Sequence, residues 1–161
     1  PRQFCSYLLH IKADEQEYYA LNEMRIESVQ QTQVMDVFVD GEFFETCRGS
    51  GVCLSTQAGA TAYSRGLGGA VIDSGLSVMQ MTEIIAIQHS KHRSLGSPYI
   101  LKDDRKVVFE SDDFSKAVLC FDHLSASLEH VKRIECTMSD RCVRFARYRE
   151  YSYLRRLKNL Y

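Results

Sequence analysis

Proline is nearly missing from this sequence: two occur in 161 residues, at positions 1 and 98. No proline-rich linker therefore divides the chain, and no internal repeat or low-complexity stretch interrupts it. An excess of one charge is missing too. Twenty Lys and Arg face 21 Asp and Glu, for a formal net charge of −1, which argues against a dedicated nucleic-acid binder. No apolar run approaches the roughly 20 residues that span a bilayer, and no signal-peptide pattern opens the chain. A cytoplasmic protein with no membrane partner is expected. A composition 45% hydrophobic and 25% charged fits disorder, coiled coil and collagen-like repeats poorly. What remains is one domain, residues 1–161, able to bury a core of its own. The sequence opens at Pro1 without an initiator methionine and reads as a piece of a longer chain.

Six cysteines lie at 5, 47, 53, 120, 136 and 142, none in a C-x-x-C pair. Most have apolar neighbours, so buried free thiols in a reducing compartment are expected. His89 and His92 are spaced as on one helical turn, but no carboxylate or cysteine ligand stands beside them. Surface histidines are the simpler reading than a metal site.

Most of the chain reads as strand. Gln33–Asp40 and Glu42–Cys47 flank an Asp-Gly pair, the mark of a two-residue type I′ hairpin. Val131–Met138 alternates as a half-buried strand, and Ala117–Phe121, apolar on both faces, is placed centrally. Further strands are expected at Phe4–Ile11, Tyr18–Glu27, Val52–Thr56, Tyr99–Leu101, Lys106–Glu110 and Val143–Tyr148. Val78–Ile87 suits strand or helix. Helices are expected from Thr61 to about Leu67 and over Ser152–Leu160, where leucines recur three apart. The fold class is mainly β: a multi-stranded β-sandwich with one short helix after a central loop and a C-terminal helix.

The most informative stretch runs from Arg48 to Tyr63. A strand enters a tight loop at Gly59 and a helix opens near Thr61. Unpaired amides at a helix start suit phosphate, Gly59 permits close backbone approach, and Ser55, Thr56 and Thr61 add hydroxyls. Tyr63 suits a flat base. A capped helix with glycines for tight packing is the competing reading.

Leu54-Ser55-Thr56-Gln57-Ala58-Gly59-Ala60-Thr61-Ala62-Tyr63 resembles the S-T-P-T/S-G-S-T-A-Y loop of the NAD kinase family. Ala20-Leu21-Asn22-Glu23 resembles its A-L-N-E/D motif, and Phe44–Gly49, Leu67–Ala70, Thr82–Ile84, Leu95–Pro98, Asp122–Leu124 and Val143–Tyr148 follow in matching order. The resemblance implies the C-terminal dinucleotide-binding sandwich of a bacterial-type enzyme. That enzyme transfers a phosphoryl group from ATP, or polyphosphate, to the adenosine-ribose 2′-hydroxyl of NAD, giving NADP. The Gly-Gly-Asp-Gly-Thr motif of the family's N-terminal α/β domain, with its proposed general base, does not occur here. The chain alone is therefore expected to be inactive and to bind no cofactor, while Mg2+ and ATP belong to the full-length enzyme. No catalytic residue is assigned in this chain. Self-association is implied, with Val78–Ile87 a candidate contact.

Carried over residue by residue, Asn22 and Glu23 match the substrate-binding pair, and Thr61, Ala62 and Tyr63 match the part of the loop around adenine and ribose. Ile87, with Ile85 beside it, falls where the family lines the nicotinamide pocket. His123 matches a histidine near the dinucleotide. Ser50 replaces a substrate-binding aspartate, Gln57 a proline, Ala58 and Ala60 hydroxyl residues, and Gly66 a serine of many members. These departures leave a second reading open: a degenerate relative with a non-catalytic nucleotide-binding or regulatory role. A third takes the segment from Arg141 to Tyr161, where basic residues interleave with Tyr148, Tyr151 and Tyr153, as a nucleic-acid surface. A solvated basic face is the reading preferred.

Overall fold

The computed structural model describes residues 2–161. Its strands are β1 (Arg2–Ala13), β2 (Gln16–Ala20), β3 (Glu23–Glu27), β4 (Gln33–Val39), β5 (Glu42–Gly49), β6 (Gly51–Thr56), β7 (Val78–Ile84), β8 (Tyr99–Lys102), β9 (Val107–Glu110), β10 (Val118–Phe121), β11 (Leu124–Ser127) and β12 (Arg133–Arg147). They form two six-stranded sheets, ordered β2-β1-β12-β9-β4-β5 and β11-β10-β3-β6-β7-β8. Every pairing is antiparallel. A 3₁₀ turn at Ala58–Thr61, a single helical turn α1 (Tyr63–Gly66) and α2 (Tyr153–Lys158) complete the elements. The expected β-sandwich is the observed fold.

Alternation builds the core. In β3, Met24 and Ile26 point between the sheets, while Arg25 and Glu27 keep partial exposure on the outer face. Leu9, Ile11, Val37, Phe109 and Ile134 from the first sheet meet Met24, Ile26, Leu54, Met79 and Leu119 from the second. Strand β6 is buried throughout, flanked by β3 and β7, and the 3₁₀ turn and α1 pack against it. Gln80 fastens the segment after α1: its amide accepts from Ala70 N at 2.7 Å and donates to Ala70 O at 3.1 Å.

The Asp-Gly hairpin forms as expected, with Asp40 at φ 51° and Gly41 at φ 82°, the double left-handed pair of a type I′ turn. Other expectations need correction. Tyr18–Glu27 is not one strand but two, in different sheets, broken at Leu21-Asn22. Val131–Met138 and Val143–Tyr148 are joined in the single 15-residue β12, long enough to pair with all of β1. Ala117–Phe121 lies second from an edge, with β11 outside it. Val78–Ile87 resolves as strand to Ile84, where Ile85 turns to φ 48°. The helix expected over 61–67 is a 3₁₀ turn followed by one helical turn.

The C-terminal helix is present and capped, Ser152 Oγ accepting Arg155 N at 3.2 Å, but Leu154 and Leu160 stay exposed. His89 and His92 sit in a β-bridge rather than a helix, their rings edge to face. Cys47, Cys53 and Cys136 are buried as expected, whereas Cys5 is exposed. No helix among the described residues is long and apolar enough to cross a membrane.

Candidate functional site

Leu21-Asn22 carries the chain from one sheet to the other, and four elements converge on it. The Asp122 carboxylate accepts Leu21 N and Asn22 N, each at 2.7 Å, and Asp122 N donates to Glu23 O at 3.0 Å. Thr56 N donates to Asn22 O at 2.9 Å. Its hydroxyl donates to Leu21 O at 2.6 Å and accepts Gly59 N at 3.1 Å. A Cβ at position 59 would stand 2.0 Å from Asn22 O. The backbone that Gly59 admits is therefore that of Asn22, not of a ligand.

The loop amides differ from expectation in the same way. Those of Thr56, Gly59, Ala60 and Ala62 are bonded within the protein, to Asn22 O, Thr56 Oγ1, Gln57 O and Gly59 O. The 3₁₀ turn consumes donors that a longer helix start leaves free. Ser55 and Thr56 are buried, and the Thr56 hydroxyl is structural. Of the three expected hydroxyls, Thr61 alone reaches the cavity described below.

Glu23 follows Asn22 onto the outer face of β3 and is only 7% exposed, with Oε2 unpartnered. Burial raises its carboxyl above the ordinary range, the Asp122 charge adds to this, and Arg25 opposes it. The Arg25 guanidinium carbon lies 3.8 Å over the centre of the Tyr63 ring, and its Nη1 pairs with Glu27 at 2.7 Å. One face of Tyr63 is thus occupied by a cation, a stable arrangement that leaves the ring partly exposed. Ala62 is exposed, and Gly66 has open space where a side chain would stand.

On the other side of the loop a cavity of about 450 Å³ opens between the sandwich end and the C-terminal segment. Asn22, Gln57, Ala58 and Thr61 line it from the crossover and loop, and Arg147, Tyr151, Tyr153 and Arg156 from the end of β12 and the C-terminal segment. Gln57 Nε2 and Tyr153 Oη both donate to Ile72 O, at 3.1 and 2.9 Å. The Gln57 side chain and Tyr153 thus tie the loop and the C-terminal segment to one carbonyl.

Apart from Gly66, at the end of α1, the predicted site residues fall into two groups. Asn22, Glu23, Thr61, Ala62, Tyr63 and exposed His123 gather around the Leu21-Asn22 crossover. Ser50, Ile85 and Ile87 lie at the opposite end of β6, since Glu23 pairs with Ser55 but Glu27 with Gly51, a separation of ~13 Å along the strand. There Ser50 N donates to Ile84 O at 2.9 Å and Ile87 N to Arg48 O at 2.7 Å. Ile85 is 78% exposed despite its β-branched side chain at positive φ. Sequence reasoning selects His123 and passes over Asp122, Arg25 and the two cavity arginines. Only the fold brings these beside the loop. The basic pattern from Arg141 to Tyr161 includes both arginines, but as a solvated basic face.

Among the described residues one cluster offers metal-type ligands: Glu45, Cys47 and Glu83, near the Ser50 end. Glu45 Oε2 accepts Leu95 N at 2.6 Å and Glu83 Oε2 accepts Ser94 Oγ at 2.7 Å, while Glu83 Oε1 is buried without a partner. Burial raises Glu45 and Cys47 above their ordinary ranges.

A family model described as the ATP-NAD kinase C-terminal domain matches residues 21–148. The NAD kinase of Geobacillus stearothermophilus is 39% identical over 145 residues, 90% of this chain and 54% of that protein. NAD kinase 1 of Bacillus subtilis (strain 168) is 36% identical over 150 residues, 93% of this chain and 56% of its own. The chain spans about half the length of the curated relatives it matches. Among solved structures, that of an NAD kinase from Archaeoglobus fulgidus in complex with ATP aligns with a TM-score of 0.82 at 21% identity, covering 99% of this chain and 60% of that one. Yeast NADH kinase complexed with NADH aligns with a TM-score of 0.70 at 23% identity, covering 84% and 41%. Likeness at these identities concerns the fold, which is the β-sandwich.

Proposed function

The chain belongs to the NAD kinase family, as its C-terminal domain, and we propose that it forms the dinucleotide-binding part of an enzyme that phosphorylates the adenosine-ribose 2′-hydroxyl of NAD. The observation that carries this reading is the crossover itself. Asn22 and Glu23, which match the family's substrate pair, sit on a backbone fixed by Asp122 and Thr56, beside Thr61 and the cavity. An asparagine amide offers donor and acceptor to a base edge or ribose hydroxyl, and a fixed backbone holds it in register with the ligand.

Phosphoryl transfer rests on positioning and charge stabilisation around the reacting phosphate. The residues of this chain position the acceptor nucleotide; the general base and the ATP loop come from an N-terminal α/β domain. The Glu45–Cys47–Glu83 cluster does not suit a catalytic Mg2+: it sits at the far end of β6 from Asn22, and a thiol is a poor ligand for that ion. The metal is assigned to ATP and the N-terminal domain. Ser50, Ile85 and Ile87, distant from Asn22 within one chain, suit a contact between copies of the protein, so a homo-oligomer is proposed. A cytoplasmic location goes with the free thiols.

Replacement of the family aspartate by Ser50, and of hydroxyl residues by Ala58 and Ala60, favours a second reading: a relative that binds a nucleotide without catalysis. One assay separates the two. The full-length gene product is incubated with NAD, ATP and Mg2+, and NADP is quantified. The first reading expects NADP formation that falls about 100-fold in Asn22→Ala (about 2–3 kcal/mol of transition-state binding). NAD binding without NADP formation supports the second.

A further inference from the structure

We propose that Arg147 and Arg156 form a phosphate-holding pair in the cavity that Asn22 and Thr61 also line; this rests on the reading that the cavity receives a nucleotide. Both guanidiniums line the cavity, and none of its lining residues is acidic. Among the described residues neither arginine has a carboxylate partner, although Arg25, Arg105 and Arg133 do. The cavity therefore carries two arginine charges, neither in an ion pair with a carboxylate, and this suits an anion.

Its other lining defines what kind. Phe4, Phe145, Tyr151 and Tyr153 contribute aromatic surface, while Asn22, Thr61 and Ser74 supply hydrogen-bonding groups. A planar base together with a phosphate satisfies all three features. Inorganic phosphate leaves the aromatic walls uncovered, and an uncharged nucleoside leaves the arginines unpaired.

The geometry of Arg147 is set in advance. Its guanidinium carbon lies 3.3 Å from the centre of the Tyr151 ring and 5.3 Å from that of Phe4. Stacking fixes the plane of the group while its N–H edge stays free to meet two phosphate oxygens. Arg156 Nη1 touches Tyr151 Oη at 3.5 Å, so one tyrosine orders both cations. The C-terminal segment is anchored to the loop region by Tyr153 Oη on Ile72 O and by Arg65 Nη1 on Leu160 O at 3.3 Å. It thus brings Arg156 to the cavity that Asn22 also lines.

Calorimetric titration of the full-length gene product with NAD, ATP and adenosine tests the pair. Arg156→Met leaves the Arg147–Tyr151 stack intact; Arg147→Lys keeps the charge but loses the planar fork. Arg156→Met is expected to weaken a phosphate-bearing nucleotide about ten-fold or more and to leave adenosine within about two-fold. Arg147→Lys is expected to fall between wild type and Arg147→Met. Whether NAD or ATP shows the loss identifies whose phosphate is held. If Arg156→Met leaves both nucleotides within two-fold of wild type, or weakens adenosine equally, the proposal is overturned while NAD binding by wild type stands. If wild type binds neither nucleotide, the dinucleotide reading fails and this proposal with it.

Discussion

Asp122 holds Asn22 across 100 positions of sequence, its Oδ1 accepting the Asn22 amide at 2.7 Å while Oδ2 accepts that of Leu21 at the same distance. At φ 53° Asp122 adopts a left-handed conformation that lets its own amide close on Glu23 O at 3.0 Å. The turn between β10 and β11 thereby sets the position of the crossover between β2 and β3. Removing the carboxylate in Asp122→Ala strips two part-buried amides of a charged acceptor and is expected to cost about 2–4 kcal/mol. Urea denaturation of wild type and variant measures this. A loss under about 0.5 kcal/mol would mean that the crossover is held by Thr56 alone.

Gly59 and Gly66 stand in the same loop region, yet opposite outcomes are expected on substitution. Gly59→Ala places a methyl against the Asn22 carbonyl, where only backbone can yield, and should destabilise by about 3 kcal/mol or more. Gly66→Ser enters open space and should change stability by no more than about 0.5 kcal/mol. Parallel denaturant melts decide, and equal effects at the two sites would contradict the packing described.

Of the fold, the strands with clean alternation or a defined turn were legible. The 33–49 hairpin follows from Asp40-Gly41 alone. Boundaries set by tertiary pairing were not. Nothing local divides Tyr18–Glu27, because the break at Leu21-Asn22 is imposed by Asp122 and Thr56, remote in sequence. Likewise Ser139 and Asp140 do not end β12, since β1 supplies partners on both sides of them, with a register shift between Tyr7 and Leu9. Of the site, the residue types around the loop were readable, but the fate of the amides was not. A 3₁₀ turn and a helix start share the same glycine and threonine spacing, and only the turn bonds its donors inward.

Burial raises the Glu23 carboxyl. A carboxyl raised in the folded state holds its proton more tightly folded than unfolded. Its stabilising contribution is therefore full below the ordinary value of 4.5 and is lost as pH rises through the raised one. Glutamine has no such proton. Glu23→Gln is accordingly expected to gain stability relative to wild type as pH rises above the ordinary value of 4.5. Asp40 and Asp113, lowered by hydrogen bonds, trend oppositely but cancel in the comparison. A wild type–variant difference that stays flat as pH rises above that value would contradict the assignment.

Thiol accessibility reports on the sheets independently. Cys5 is exposed, whereas Cys47, Cys53 and Cys136 are buried, and burial pushes the Cys53 thiol up to about 12. An aromatic disulfide reagent should modify Cys5 rapidly in the native chain and reach the buried three only at the rate of opening. Peptide mapping of labelled protein checks the order. Early labelling of Cys53 would contradict its complete burial in β6.

The central claim is that a dinucleotide docks at the crossover carrying Asn22 and Glu23. Hydrogen exchange of the full-length gene product with and without saturating NAD addresses it directly. Added protection is expected in segments 20–24, 57–63 and 121–124, with the 33–49 hairpin unchanged. Protection that leaves these three segments untouched, wherever else it occurs, would contradict the account.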